Sequence, residues 1–166
     1  TAFERLTYVG YAVPGVVLGL ALVFFGSQYA TPIYQTLYLL VFAYVIRFLP
    51  QSVGSLRASF LSVDPSLPEA ARTLGQTSAG AFRHVTLPLV APGLFGGAAL
   101  VFLTTMKELP ATLLLRPSGF TTLVTHIWTA YESGYFGQAA IPALVLLFVS
   151  GLSMLVILRQ EGYDVK

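Results

Sequence analysis

The chain has 166 residues, of which 55% are hydrophobic and 10% charged, and its formal net charge is +2. Roughly 25% of the residues of an ordinary soluble domain are charged, so this composition excludes a soluble globular protein and indicates an all-helical integral membrane protein. The sequence contains no cysteine, which excludes disulfides and thiol catalysis, and its few dispersed Lys and Arg residues exclude a nucleic-acid-binding surface.

Two apolar segments near the start are predicted to cross the bilayer as helices. The first, residues 8–25, contains no charge, and Pro14 is expected to kink it. The second, residues 33–49, would be about 25 Å long at ~1.5 Å per residue, which is near the short limit for a span. Because Pro50 follows it directly, the second helix is expected to end there.

Two further spans follow a polar loop over residues 51–86. The third span, residues 87–106, begins with prolines that a first helical turn tolerates, and its small residues at Gly93–Gly97 predict a close-packing face. The fourth, residues 139–158, is nearly unbroken Leu, Val, Ile and Phe. The chain is therefore predicted to be one membrane domain, a bundle of about four spanning helices.

The distribution of Lys and Arg predicts the orientation, since these residues accumulate on the cytoplasmic side. The 51–86 loop and the two tails share one side and carry six of them, whereas the opposite side carries two. The loop and both termini are therefore expected in the cytoplasm. Arg47 is expected near the inner end of its span, where its side chain can reach the headgroups. The six are Arg5, Arg57, Arg72, Arg83, Arg159 and Lys166, and the two are Lys107 and Arg116.

Within the loop, local signals predict a short helix over residues 67–74. Ser66 and Glu69 have the spacing of a capping box at the start of a helix. Gly75 follows at the position where a left-handed C-terminal cap is wanted. A second short helix is predicted from Thr77 or Ser78, before the chain turns back into the membrane at residues 87–88.

These residues suit a docking surface. Small residues at positions 70, 71 and 75 allow another protein to approach closely, and Phe82 with the nearby arginines supplies common interface anchors. The alternative is a connecting loop that is merely well capped. On the residues alone, both interpretations stay open.

The segment 69–88 resembles the EAA motif of type I ATP-binding-cassette importer permeases. The motif begins with the triplet Glu-Ala-Ala at 69–71, and three residues separate this triplet from Gly75. Nine further residues separate Gly75 from Val-x-Leu-Pro at 85–88, where Val85 replaces the usual Ile. It implies a coupling helix that docks into a separate ATPase subunit. The ATPase-coupling residues would be Glu69, Ala70, Ala71, Gly75, Phe82, Val85, Leu87 and Pro88.

The resemblance also implies the partners. These are ATPase subunits that use ATP and Mg, a periplasmic or extracellular binding protein that contacts mainly residues 107–138, and a second permease half, fused or separate. The chain would then be the C-terminal part of a longer permease in a bacterial inner membrane. No enzyme activity is expected of the chain itself, since its sequence lacks the phosphate-binding G-x-x-x-x-G-K-[ST] pattern.

Residues 107–123 look most like the iron(III) branch of these permeases. Permeases for thiamine, molybdate, sulfate and polyamines share the architecture, so they stay as alternatives. A different class of function is a membrane scaffold that recruits a soluble partner through residues 69–88 without transport.

Few polar residues are candidates for the translocation path. Glu108, after Thr104 and Thr105, either lies on that path or meets headgroup water or a local partner. A carboxylate would suit iron(III), which prefers oxygen ligands. His84 and His126 are predicted on opposite sides of the membrane, so no metal site is expected; His84 is interpreted as an interface or solvated residue and His126 as part of an interfacial aromatic belt.

Overall fold

The computed structural model describes residues 10–163, and this part of the chain is all-helical. Three of its helices are long and apolar enough to cross a membrane: Leu37–Ser62, Ser78–Met106 and Phe136–Leu155. The expected fold class is thereby confirmed. The helices are α1 (Gly15–Tyr29), α2 (Leu37–Ser62), α3 (Ser66–Thr73), α4 (Ser78–Ala81), α5 (Leu87–Met106), α6 (Pro110–Leu115), α7 (Leu123–Glu132) and α8 (Phe136–Tyr163), and a π-helical turn, Phe82–Thr86, joins α4 to α5.

The first apolar segment is broken rather than kinked. Residues 10–12 are helical, and α1 then starts afresh at Gly15 with Pro14 as its N-cap. Proline has no backbone N–H and cannot extend the helical ladder, which explains the break. The resulting α1 has 15 residues and is shorter than the three long helices. Residues 8 and 9 of the predicted span, like Arg5 and Lys166 of the tails, lie outside the described residues.

The second segment forms α2, which begins at Leu37 and continues through Pro50 to Ser62. The prediction that Pro50 ends this helix is therefore wrong. Proline removes one helical hydrogen bond, here to the carbonyl of Ile46, and membrane helices tolerate this where a neighbour covers the freed group. The backbone of Gly10 packs directly against this carbonyl, since a Cβ on Gly10 would lie 2.6 Å from Ile46 O.

The predicted loop over residues 51–86 is correspondingly much shorter. Its first part belongs to α2, and its last part belongs to the continuous helix Ser78–Met106. Only the stretch from Val63 to Thr77, which contains α3, connects the two long helices. We call the end of the bundle that carries this stretch the motif end.

Helices α2 and α5 pack closely through small residues. The Ser55 hydroxyl donates to the Gly93 carbonyl at 2.9 Å, and a Cβ on Gly97 would lie 3.1 Å from Ser55 Cβ. In lipid, apolar burial does not drive helices together, so this close van der Waals contact and hydrogen bonding hold the pair. The predicted close-packing face at Gly93–Gly97 is confirmed.

Away from the motif end, α1, α2 and α6 share one apolar cluster. Leu22 of α1 meets Leu39, Leu40 and Ala43 of α2 and Leu115 of α6. The chain leaves α5 at Met106 and re-enters helix at Pro110, so α6 is a second helical piece behind a break. The cluster therefore brings two interrupted helices, α1 and α6, onto one continuous helix.

Helix α8 contains the predicted fourth span and extends beyond it at both ends. It packs on α7 and α5, while none of the residues 136–155 is buried. An apolar helix with so little cover from its own chain is typical of a surface that faces lipid or another membrane subunit.

Candidate functional site

Helix α3 at the motif end is capped differently from the prediction at its start. The helix begins at Ser66, and its N-cap, Pro65, makes no side-chain cap bond, so the predicted Ser66–Glu69 capping box is wrong. Ser66 lies inside the first turn, and its N–H donates instead to the Asp64 carboxylate at 2.9 Å. This hydrogen bond holds the pKa of Asp64 below its usual value.

The end of α3 confirms the predicted glycine cap. Gly75 has φ +90°, a left-handed conformation that favours glycine. The Gln76 N–H donates to the Ala71 carbonyl at 3.1 Å, and the Gly75 N–H to the Arg72 carbonyl at 3.1 Å. These two bonds form a Schellman motif, which satisfies carbonyls that the end of the helix leaves free.

The second predicted helix of the loop starts as expected but does not end as expected. Thr77 caps it, because its hydroxyl accepts from the Gly80 N–H at 3.1 Å. The predicted turn at residues 87–88 is absent, since the helix continues without interruption to Met106. In the π-helical turn the Leu87 N–H donates to the Phe82 carbonyl. This wider turn lets the helix pass into Pro88, which cannot donate a hydrogen bond itself.

The 69–88 segment exposes most of its motif residues. No residue of α3 is buried, and Leu74 at its C-cap is 86% exposed. With its C-terminus capped and no residue buried, α3 leaves most of its surface exposed within the described part of the chain. Among the predicted coupling residues Ala71 and Val85 are half-buried, and the exposed ones are Glu69, Ala70, Gly75, Phe82, Leu87 and Pro88.

A second polar site lies deep between α1, α2 and α6. Glu108 is only 7% exposed, and one of its carboxylate oxygens, Oε2, lies 3.2 Å from Arg47 Nε. The other, Oε1, accepts from the Ala111 N–H at 3.2 Å. Of the alternatives left open for Glu108, the geometry supports a charged partner, although that partner is distant in sequence.

Arg47 does not lie where the sequence analysis expected it. It lies ten residues into α2, about 15 Å from the start of that helix, and α2 continues well past it. Its Nη1 donates to the Val13 carbonyl at 3.0 Å, and its guanidinium lies 5.7 Å from the centre of the Phe48 ring. The expectation that Arg47 reaches the headgroups at the inner end of its span is wrong, because Glu108 and Val13 hold the guanidinium at this depth.

The ion pair was missed by the sequence analysis, although a signal was present. Arg47 interrupts an apolar segment and Glu108 follows one, and opposite charges at membrane depth tend to pair. We call Arg47 and Glu108 together the clasp. Gly15 packs directly against it, since a Cβ there would lie 2.6 Å from Glu108 Oε1 and 3.0 Å from Arg47 Nη1.

The two threonines before Glu108 have separate surroundings. The Thr104 hydroxyl donates to Gln51 Oε1 at 2.8 Å, across the contact between α2 and α5. Thr105 lines an apolar groove between the same helices, beside Tyr44 and Phe48. The structure therefore places Thr104 and Thr105 on the pair α2–α5, and Glu108 beyond it against α1 and α6.

Both histidines are exposed. His84 Nδ1 donates to the Gly80 carbonyl at 2.9 Å within the helix that leads into α5, and His126 is exposed on α7 near Trp128. Among residues 10–163 no three His, Cys, Asp or Glu side chains gather into a possible metal site.

Comparisons with known proteins were made once this geometry was established. A family model described as binding-protein-dependent transport system inner membrane component matches residues 1–161. The chain is 38% identical over 149 residues to the Fe(3+)-transport system permease protein FbpB 2 of Haemophilus influenzae, a match covering 90% of this chain and 29% of that protein.

Two other relatives carry different substrate names. The chain is 28% identical over 148 residues to a putative 2-aminoethylphosphonate transport system permease protein PhnV of Salmonella typhimurium, with 89% of this chain and 56% of that protein covered. It is 34% identical over 125 residues to a probable molybdenum ABC transporter permease protein of Haloferax volcanii, with 75% and 46% covered. The chain thus spans 29% to 56% of the length of these three relatives.

Proposed function

The chain belongs to the family of binding-protein-dependent transport system inner membrane components, and from this premise we propose that it forms part of an ATP-binding-cassette importer permease whose 69–88 segment couples to a separate ATPase. The observation that carries the proposal is α3, a helix with a Schellman cap and no buried residue at the end of two long apolar helices. The described part of the chain buries none of the residues of α3, which fits a surface kept for a partner.

The coupling would be mechanical. The segment after α3 is one uninterrupted helix from Ser78 to Met106, so a displacement at the motif end is carried along α5 toward the residues around Glu108. ATP and Mg would be used by the partner ATPase, and closure of two ATPase subunits would rock the spans between inward-facing and outward-facing states.

The remaining partners follow from the same proposal. A binding protein outside the membrane would deliver the solute to the 107–138 region, and a second permease half would complete the pathway. The motif end and both ends of the chain would then lie in the cytoplasm, with the chain in a bacterial inner membrane.

We propose iron(III) as the solute. The relative named for Fe(3+) transport is 38% identical, against 28% for the relative named for 2-aminoethylphosphonate and 34% for the one named for molybdenum. The choice also agrees with the resemblance of residues 107–123 to the iron(III) branch. Thr104, Thr105 and Glu108 stay predictions as translocation-path residues, and an oxygen-rich path would suit a hard cation.

The first experiment tests coupling. The full-length permease is solubilised in detergent and used to capture its ATPase, in the wild type, in Gly75→Glu and in a deletion of residues 69–75. Gly119→Glu is the matched control, because Gly119 also has a positive φ (+81°, against +90° for Gly75) and nothing lies within 4 Å of a Cβ at either glycine. Both substitutions impose a similar backbone strain, but only Gly75 lies in the 69–88 segment.

The proposal expects capture by the wild type and by Gly119→Glu, and its loss in both motif variants at unchanged helical content. Loss in Gly119→Glu as well would point to strain rather than to docking. If no ATPase is captured by folded wild-type protein, the scaffold alternative takes its place. Uptake of radioactive iron(III) by proteoliposomes, with molybdate and 2-aminoethylphosphonate as competitors, then tests the solute.

A further inference from the structure

We propose that the clasp is a positioning device that caps two broken helices at one depth and so fixes α1 and α6 against α2. Neither the family match nor the resemblance assigns a role to this pair. The inference rests on contacts within the chain and is independent of the proposed coupling to an ATPase.

The first break lies at Val13–Pro14, between the helical residues 10–12 and α1. A chain that leaves a helix exposes carbonyls without intrahelical partners, and in a membrane each uncovered group costs several kcal/mol. Arg47 Nη1 donates to the Val13 carbonyl at 3.0 Å. The guanidinium thus satisfies a backbone group that the break leaves free.

The second break lies between Met106 and Pro110, where α5 ends and α6 begins. Here the orphaned groups are N–H donors at the start of α6. Glu108 Oε1 accepts from the Ala111 N–H at 3.2 Å. The Thr112 hydroxyl donates in turn to the Glu108 carbonyl and lies 2.6 Å from the Tyr44 hydroxyl of α2, which ties the same break to α2 a second time.

Each of the two charged side chains therefore makes a hydrogen bond to the backbone as well as an ion pair with the other. Arg47 Nε faces Glu108 Oε2 at 3.2 Å, and within the described residues this buried Nε makes no aligned hydrogen bond. The pair is thus an ion pair whose best-formed hydrogen bonds point outward, to the two breaks. Replacing only one partner leaves the other charge buried and unpaired.

The space around the clasp supports this role. Gly15, the first residue of α1, lets the helix start in direct contact with the pair, because any Cβ there would lie 2.6 Å from Glu108 Oε1. Four residues later Gly19 lies against α6, where its Cβ would be 3.3 Å from Leu114 Cβ. The clasp and this contact together seat α1 on α6.

The chain offers a direct reporter of that seating, because it contains no cysteine. In a full-length permease cleared of other cysteines, the pair Gly19→Cys/Leu114→Cys reports the contact between α1 and α6. The control pair Ser55→Cys/Gly97→Cys reports the contact between α2 and α5, where the Cβ separation is similar at 3.1 Å. Both separations are slightly shorter than the about 3.5–4.5 Å between the Cβ atoms of ordinary disulfides, so a small outward shift lets either bond form.

Each cysteine pair is combined with Glu108→Gln, Arg47→Lys and the double variant Arg47→Met/Glu108→Leu. Glu108→Gln removes the charge, and Arg47→Lys removes the second donor arm. We expect oxidative cross-linking of positions 19 and 114 to slow about tenfold or more in both single variants, because one buried group loses its partner. The control pair 55–97 should cross-link at the wild-type rate.

The double variant distinguishes the loss of the two hydrogen bonds to the backbone from the effect of an unpaired buried charge. Two apolar side chains remove the buried charges together, so thermal stability in detergent should recover relative to either single variant. The Val13 carbonyl and the Ala111 N–H stay uncapped, so cross-linking of 19–114 should remain slow. Wild-type cross-linking in the double variant would overturn the capping role, and wild-type cross-linking in the single variants would overturn the clasp altogether. Slowing of both cysteine pairs together would show general unfolding and would also count against it.

Discussion

The 69–88 segment and the clasp are two polar regions of this chain, and they are built in opposite ways. The segment is exposed, is held by bonds between residues at most five apart, and presents Leu74 at 86% exposure. The clasp is largely buried and joins two residues that lie 61 positions apart in the sequence, Arg47 and Glu108. The difference agrees with the two proposals, in which the first region contacts a partner outside the chain and the second holds the chain's own helices.

Glu108→Ala is expected to have the largest effect, because it removes one half of the clasp and leaves the 69–88 segment unchanged. We expect a loss of about 3–5 kcal/mol in stability, because the substitution leaves the Arg47 charge buried without its partner. Thermal unfolding of the purified permease measures the loss of stability, and iron(III) uptake is measured on the same variant. Glu132→Ala is the control, since Glu132 is exposed on α7 and its removal should change stability by about 0.5 kcal/mol or less.

The same variant separates the clasp from a role in the translocation path. If Glu108 acts only in the translocation path, its substitution would lower uptake and leave the free energy of unfolding unchanged. That combination in Glu108→Ala would favour the path and would contradict the clasp.

Gly15→Ala should have the next largest effect. The added methyl would lie 2.6 Å from Glu108 Oε1 and 3.1 Å from Arg47 Cζ, so the pair must shift, at a cost of about 1–3 kcal/mol. Gly137→Ala in α8 is the matched control, because nothing lies within 4 Å of its Cβ. Equal unfolding temperatures for the two variants would show that α1 does not press on the clasp.

These two regions also differ in how far the sequence predicts them. The glycine cap at Gly75 and the start of the second short helix at Thr77 or Ser78 were predicted correctly, because such ends depend on a few neighbouring residues and their bonds. The family resemblance of the segment is likewise local and is carried by a fixed spacing. Local signals thus predicted the C-terminal cap of α3 and the start of the next helix, although the Ser66–Glu69 capping box that they also predicted is absent.

The clasp and the passage of α2 through Pro50 were not predicted. Whether a proline ends a helix depends on what covers the carbonyl it frees, and here Gly10, far away in sequence, packs against that carbonyl. Arg47 likewise lies near a predicted end of helix only if Pro50 stops α2. The wrong end predicted for α2 therefore led to a wrong position for Arg47 and hid its pairing with Glu108. Both features depend on tertiary packing.

A smaller effect is expected for Leu74→Ser in the 69–88 segment. Leu74 is 86% exposed, so stability should change by about 0.5 kcal/mol or less, whereas affinity for the ATPase should fall by about 1–2 kcal/mol if Leu74 is an interface anchor. Leu61→Ser is the control, because Leu61 is 75% exposed at the end of α2 but outside the segment. Titration with the purified ATPase gives both affinities, and equal losses in the two variants would contradict a special role for Leu74.

The smallest effect concerns Asp64, whose carboxylate accepts the Ser66 N–H at the start of α3. The bond holds the pKa of Asp64 below its ordinary value of 3.8, so the native state binds a proton less readily than the unfolded chain. The contribution to stability is complete above the ordinary value and is lost as the pH falls through the lower native pKa. Stability should thus rise with pH in that acid window, slightly less steeply in Asp64→Asn than in the wild type. Thermal unfolding between about pH 2 and 5, a range that includes the ordinary value of 3.8 and extends below it, measures the two slopes. Identical slopes would show that the hydrogen bond from the Ser66 N–H does not lower the pKa of Asp64.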